Sequence, residues 1–317
     1  MKIGISGFGR IGRQVFESSL KDADMEVSFI FDPLLSRSNY NYLLKSELKQ
    51  DLNNFKFKTN KIKIISSENE FYNQITGIDL LIECSEKVDL KKALNYNSKL
   101  KIITTYFYEN SDVKVALGYN TIKKDAQIIS GLTCDTIAIL PVLKTFLEYD
   151  ITFLSIASIH PVLSYQKPLD NLYSIDKSID LAKIRGFVNC AIPRDTSIAK
   201  IIESVCPSLK DKVFSYQLRI PTTEVTSAFI TLSTKKKINI DVIKSKINKN
   251  KYLCFNKELK ISSDFVKVSA SAVIDLRYFK VNKNNCTFLL WYDNEYGYSQ
   301  RILDLVKKVG GCRGFNK

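Results

Sequence analysis

The chain has 317 residues, 45% apolar and 25% charged, a length that exceeds one compact core and predicts two domains in a globular protein. It holds no run of about 18 apolar residues, so no membrane-spanning helix is expected. The net charge of +14 comes from lysines spread along the whole sequence, with Lys235-Lys236-Lys237 as the one tight run, which reads as a solvated basic surface rather than a nucleic-acid face.

In chain order, residues 2 to 6 (KIGIS) predict a short buried strand, Gly12 to Leu20 the start of a helix, and residues 27 to 31 (VSFIF) a second strand ending at Asp32-Pro33. Strand, glycine turn, helix and strand make one right-handed βαβ unit. Further strands are predicted at 62 to 66, 79 to 83, 101 to 105 and 127 to 130, separated by polar, Lys-rich segments. That alternation argues for a parallel sheet in an α/β first domain. The texture then changes. An amphipathic helix is predicted over 137 to 148, despite Pro141 near its start. Longer strands follow at 151 to 160, 213 to 220, 224 to 233, 265 to 276 and 286 to 292, interrupted by helices near 196 to 205 and 240 to 249. This pattern predicts a mixed or antiparallel sheet with helices on one side, an α+β second domain. A last helix, about 298 to 309, is expected to stop at Gly310-Gly311. The boundary is placed near residue 133 from this change of texture.

The N-terminal apolar stretch is broken by Gly7 and Gly9 and lacks a cleavage site, so it does not read as a secretory leader. The seven cysteines are scattered and none forms a C-x-x-C pair. No disulfide framework or metal site is expected, and a reducing cytoplasm fits best.

Gly7-Phe8-Gly9-Arg10-Ile11-Gly12 fits the G-x-G-x-x-G fingerprint between a predicted strand and helix. Gly7 permits the tight turn, Gly9 lets backbone approach a pyrophosphate, and Gly12 lets helix and strand pack closely. The helix N-terminus offers free N–H groups to the phosphates. Asp32, about twenty residues on, can accept hydrogen bonds from the adenosine ribose and would repel a 2′-phosphate, which favours NAD over NADP.

The opening stretch GISGFGRIGR resembles that of glyceraldehyde-3-phosphate dehydrogenases. Other segments match the family in order. They are Thr133-Cys134-Asp135-Thr136 followed by Pro141, His160 with Gln166 and Asp170, and Arg219-Ile220-Pro221-Thr222. Ser262-Ser263-Asp264-Phe265 comes next, then Trp291-Tyr292-Asp293-Asn294-Glu295 with Gly297-Tyr298-Ser299. The resemblance covers nearly the whole chain. It implies a Rossmann NAD-binding domain over 1–133 completed by a C-terminal helix within 294–317, a catalytic domain over 134–293, and a homotetramer. It also implies NAD-dependent oxidation of glyceraldehyde 3-phosphate to 1,3-bisphosphoglycerate.

By that resemblance Cys134 is the nucleophile and His160, the sole histidine, its base. A thiolate adds to the aldehyde, hydride leaves, and phosphate or water resolves the thioester. Arg219 would bind substrate phosphate, with Thr133, Thr136 and Thr196 lining the anion sites. Asn294 would hydrogen-bond the nicotinamide amide and Tyr298 pack beside its ring. The other six cysteines are expected to be buried, inert thiols.

Several positions depart from the family. Asp135-Thr136-Ile137 stands for Thr-Thr-Asn, Leu163 for a threonine that touches phosphate, Thr196-Ser197 for Thr-Gly, Ser6 for an asparagine, and Cys84-Ser85-Glu86 for Ser-Thr-Gly. A carboxylate beside Cys134 raises its pKa if it points inward, and repels an attacking phosphate. Asp195-Thr196 is similar to erythrose-4-phosphate dehydrogenases, in which water resolves the thioester. Oxidation of a different phosphorylated aldehyde with hydrolysis is therefore the alternative. A catalytically weak NAD-binding regulatory paralogue is another.

Overall fold

A computed structural model describes residues 1–48, 61–163, 165–170 and 185–312. They divide into two compact units. One comprises Met1–Val115, Asn120–Thr133 and the chain from Ser299, and the other Ala116–Tyr119 with Cys134–Tyr298.

The first unit is a seven-stranded parallel sheet in the order β3-β2-β1-β4-β5-β7-β6. Its strands are β1 (Lys2–Ser6), β2 (Glu26–Phe31), β3 (Lys63–Ile65), β4 (Leu80–Glu83), β5 (Lys101–Thr104), β6 (Val113–Lys114) and β7 (Ile128–Ser130). The central strands read as unbroken apolar runs because both faces are covered. Ile3, Ile5, Leu80, Leu81, Ile82, Ile102 and Ile103 are all fully buried. Helix α1 (Arg10–Leu20) links β1 to β2, α2 (Arg37–Leu48) follows β2, α3 (Glu68–Ile75) precedes β4, and α4 (Leu90–Tyr96) follows it. The sequence predicts only polar connections where α2, α3 and α4 form. α3 buries only Phe71, Tyr72 and Ile75, and α4 only Leu90 and Ala93, too few to show a helical period. The strand order reverses between β1 and its two neighbours, β2 and β4. In a doubly wound sheet the ligand crevice opens there, at the carboxyl ends of the strands.

The second unit is a mixed seven-stranded sheet in the order β12-β13-β14-β11-β8-β10-β9. The strands are β8 (Ile151–Pro161), β9 (Ile192–Arg194), β10 (Val213–Ile220), β11 (Thr226–Thr234), β12 (Leu253–Asn256), β13 (Ala272–Asn282) and β14 (Asn285–Tyr292). Its helices are α5 (Cys134–Leu143), α6 (Ile198–Val205) and α7 (Ile240–Asn248). α8 (Tyr296–Cys312) passes from this unit into the first. Within the first unit, Gln300 Nε2 on α8 donates to Ser18 Oγ at 2.9 Å and Lys307 pairs with Asp22 at 2.7 Å.

Strands β6, β9 and β12 are not among the predicted elements, and three predicted elements differ in their bounds. The first helix of this unit begins at Cys134 rather than 137, so Pro141 lies in its second half. It gives way to a 3-10 turn over Lys144–Tyr149, because proline supplies no N–H to the ladder. The stretch 265 to 276 is not one strand. Ser262–Phe265 is a 3-10 turn, Lys267 takes φ 61, and the strand starts only at Ala272. The last helix runs through Gly310 and Gly311 to Cys312 rather than stopping there; a Cβ on Gly310 would lie 3.7 Å from the Met1 side chain.

Candidate active site

In the first unit the fingerprint forms the turn from β1 into α1. Gly7 sits at φ +85, a left-handed conformation open to glycine. A Cβ on Gly12 would lie 2.0 Å from the Gly7 carbonyl oxygen, so only hydrogen allows the helix this close to the strand. At Gly9, the N-cap of α1, a Cβ would meet no atom within 4 Å, which leaves room for a ligand against bare backbone. No side chain caps this helix and no acid occupies its first turn, so its N-terminal end, with its positive dipole, suits an anion. Arg10 and Ile11 are half-buried on that turn, and Phe8 is buried against Phe16 and Tyr40. Asp32, half-buried at the end of β2, accepts the Phe8 N–H through Oδ2 and the Leu34 N–H through Oδ1, both at 2.9 Å. Beside it lies a cavity of about 370 Å³ whose walls include Gly7, Phe31, Pro33, Phe71 and Ser85. Apolar walls next to a glycine turn and a carboxylate fit a base, a pyrophosphate and a ribose, so the residues present fit a dinucleotide.

In the second unit the reactive groups come from four elements. Leu132 takes φ 58 just before α5, and Cys134 is the first residue of that helix. His160 and Arg219 are register partners on the parallel strands β8 and β10, so they project from the same face. Cys134 Sγ lies 3.7 Å from His160 Nε2. On the far side of the ring, Nδ1 is 2.8 Å from the Pro161 carbonyl oxygen and in contact with Arg219 Nη1, which also donates to that oxygen at 3.0 Å.

Asp135 points inward and is buried. Its Oδ1 accepts hydrogen bonds from Ser158 Oγ at 2.9 Å and Tyr292 Oη at 2.6 Å, while Oδ2 lies 3.7 Å from Cys134 Sγ. Burial first, and then the Asp135 charge, push the Cys134 thiol well above its usual range, against a pull downward from Arg219. Burial and the same carboxylate push the Tyr292 phenol well up. Burial lowers the Arg219 pKa from its ordinary value, with Asp135 and Cys134 opposing that shift and Arg194 adding to it. The sequence marked Asp135 only as a departure. Tyr292 stands in the Trp291–Glu295 segment that resembles the family, but neither it nor Ser158 nor Arg194 shows in sequence that it meets the site, since each does so only through strand pairing and packing.

The other expected residues fall as follows. Thr133 is half-buried and Thr136 fully buried. Thr196 is half-buried and its Oγ1 accepts the Ile198 N–H at 3.3 Å, just before α6. Arg219 is buried and its Nε finds no acceptor, as does Gln166 Nε2. In the Trp291–Glu295 run, Trp291 Nε1 donates to Asp275 and Tyr292 to Asp135, while Asp293 accepts the amides of Lys267, Glu295 and Tyr296. Asn294 is buried with its Oδ1 unpartnered, and Tyr298 is buried nearby in sequence. Of the cysteines expected to be buried, Cys254 is exposed and Cys84 and Cys190 are half-buried, while Cys206 and Cys286 are buried. The Cys312 side chain lies outside the described residues.

A family model described as glyceraldehyde 3-phosphate dehydrogenase, C-terminal domain, matches residues 133–294, and the corresponding NAD binding domain matches residues 1–90. The chain belongs to the glyceraldehyde-3-phosphate dehydrogenase family. It is 28% identical over 335 residues to the glyceraldehyde-3-phosphate dehydrogenase of Geobacillus stearothermophilus, covering 98% of each chain. It is likewise 28% identical over 331 residues to the cytosolic enzyme of Antirrhinum majus, covering 96% of this chain and 97% of that one. This family member is accordingly an NAD-dependent dehydrogenase, with NAD as its cofactor. Gly9 and the α1 N-terminus would hold the pyrophosphate and Asp32 the ribose. NAD, when bound, supplies the hydride acceptor.

Proposed function

We propose that the chain oxidises glyceraldehyde 3-phosphate to 1,3-bisphosphoglycerate through a thioester on Cys134. The pairing of Cys134 Sγ with His160 Nε2 at 3.7 Å, beside a buried arginine, carries this reading. The thiolate attacks the aldehyde carbon and forms a thiohemiacetal. His160 takes the hydroxyl proton as hydride departs, leaving a thioester. Phosphate then attacks the carbonyl and the thiolate leaves. The sum is aldehyde, NAD⁺ and phosphate to acyl phosphate, NADH and a proton.

Arg219 is read as the substrate-phosphate ligand, supported by its unpartnered Nε, with Thr133, Thr136 and Thr196 as hydroxyl positions of the anion sites. Asn294 is read as the acceptor for the nicotinamide amide, supported by its unpartnered Oδ1, and Tyr298 as the residue beside the ring.

Asp135 favours a second reading. Its carboxylate stands beside the carbon that would carry the thioester, where it repels phosphate and can accept a proton from water. Hydrolysis of the thioester, with a substrate such as erythrose 4-phosphate, follows from that. NADH formation with glyceraldehyde 3-phosphate, with and without phosphate, separates the two. A rate that requires phosphate supports the first, and a rate indifferent to it supports the second. An absence of any rate with either aldehyde overturns both and leaves the regulatory, NAD-binding role.

The proposal extends to a homotetramer. Phe153, Phe214, Tyr216, Leu218 and Phe229 are exposed on the face of the second sheet opposite His160, an apolar row suited to another copy. Light scattering on the purified chain tests it. A cytoplasmic location is proposed too, supported by six free cysteines among the described residues. No helix among those residues is long and apolar enough to cross a membrane.

A further inference from the structure

Cys134, Asp135 and His160 carry a second possibility that the dehydrogenase chemistry does not use. Their donor atoms lie within 4.8 Å of one another. Zinc takes thiolate sulfur at about 2.3 Å, imidazole nitrogen at about 2.0 Å and carboxylate oxygen at about 2.0–2.2 Å in tetrahedral geometry. Those lengths place sulfur about 3.5–3.7 Å from each of the other two donors. Here Cys134 Sγ is 3.7 Å from His160 Nε2 and 3.7 Å from Asp135 Oδ2. Two edges of the coordination triangle are thus already near their bound length, and the third is no longer than 4.8 Å.

The groups behind the donors point the same way. Metal-bound histidines usually donate their other ring N–H to a carbonyl or carboxylate, which fixes the tautomer. His160 Nδ1 is 2.8 Å from the Pro161 carbonyl oxygen, and the tautomer that donates there leaves Nε2 to offer its lone pair. Arg219 Nη1 donates to the same carbonyl oxygen at 3.0 Å and also touches Nδ1, so in this tautomer the guanidinium has to turn from the ring toward that oxygen. Ligating carboxylates are usually held by hydrogen bonds as well. Ser158 and Tyr292 both donate to Asp135 Oδ1, so Oδ2 is the oxygen turned to the thiol.

We propose that Cys134, Asp135 and His160 form a zinc-binding site that reversibly silences the nucleophile. The Cys134 S–H bond breaks, the proton goes to solvent, and a sulfur–zinc bond forms. Asp135 Oδ2 and His160 Nε2 donate lone pairs, water fills the fourth position, and no electrons are transferred. The silencing rests on the reading of Cys134 as nucleophile, but the binding does not.

The test is titration of the full chain with Co²⁺ as a spectroscopic stand-in, followed by competition with Zn²⁺. One equivalent of Co²⁺ should bind with a thiolate charge-transfer band that is lost in Cys134→Ser. Affinity should fall at least about tenfold in Asp135→Asn, the loss seen even when a group behind a ligand is removed. His160→Gln should show the same fall, and covers the case in which Asp135→Asn does not fold. Zn²⁺ should also protect wild-type Cys134 from iodoacetamide. The site is overturned by the absence of a thiolate band, by a band that survives Cys134→Ser, or by unchanged affinity in a folded Asp135→Asn protein. NADH formation by metal-free enzyme is read separately. Turnover without cobalt binding sinks the metal site alone, and cobalt binding without turnover sinks the dehydrogenase reading alone.

Discussion

The glycine turn of the first unit and the pocket around Cys134 in the second are built in opposite ways. The turn is made by six consecutive residues, Gly7 to Gly12, whose work is to keep atoms out of the way. The pocket is made by Cys134 and Asp135 on α5, Ser158 and His160 on β8, Arg219 on β10 and Tyr292 on β14, each placed by pairing or packing over long sequence separations. A local device tolerates change everywhere except in its own backbone. A dispersed one can be retuned by a single side chain, and Asp135 is such a change.

The largest expected effect lies in the pocket. His160→Gln should lower turnover by about 10²–10⁴-fold, the usual worth of a positioned acid–base group. Melting temperature should stay near that of the wild type. A variant within threefold of wild type would show that His160 only fills space.

The turn should instead separate stability from binding. Gly12→Ala puts a methyl group 2.0 Å from the Gly7 carbonyl oxygen and should cost about 1–3 kcal/mol of stability, read as a lower denaturant midpoint. Gly9→Val places its side chain in open space and should leave the midpoint nearly unchanged while KM for NAD rises sharply. Equal loss of stability in both variants would break the contrast.

Asp135→Asn should shift the pH profile of Cys134. The carboxylate raises the thiol pKa in addition to burial, so removing its charge lowers it. Thiolate then appears at lower pH, and alkylation by iodoacetamide at neutral pH speeds up. The sign for stability agrees. A folded pKa above the unfolded one contributes stability at pH below the unfolded value, lost as pH rises toward the folded one. The wild type should therefore weaken on the alkaline side more than Asp135→Asn does. An alkylation profile that stays put would remove Asp135 from the control of the thiol.

Legibility follows the same divide. β1, the turn, α1 and β2 are readable because period, glycine spacing and Asp32 all lie within about thirty residues. The alternating strands β10 and β11 are readable because one face is buried and the other is not. The start of β13 is not, because Lys267 at φ 61 breaks a run whose apolar pattern continues past it. The burial of Asp135 is not readable either. A carboxylate one residue after a helix start normally faces water, and only Ser158 and Tyr292, 23 and 157 residues away, draw it in.

The smallest effect returns to the first unit, where the family's glycine is missing. Glu86 stands where the family has Gly and takes φ 59, a left-handed conformation that costs a side chain-bearing residue roughly 1–2 kcal/mol. Its N–H donates to Glu83 Oε2 at 3.1 Å, and Ser85 Oγ and N–H both donate to Glu83 Oε1, so the turn is held by a buried carboxylate rather than by a permissive residue. Burial and the Glu83 charge push the Glu86 carboxyl upward. Glu86→Gly relieves both the backbone conformation and the like-charge contact. The greater freedom of glycine in the unfolded chain takes back about 0.5–1 kcal/mol. A net gain of up to about 1 kcal/mol should appear as a higher denaturant midpoint. A loss instead would mean that the Glu86 side chain makes contacts worth more than the strain it imposes.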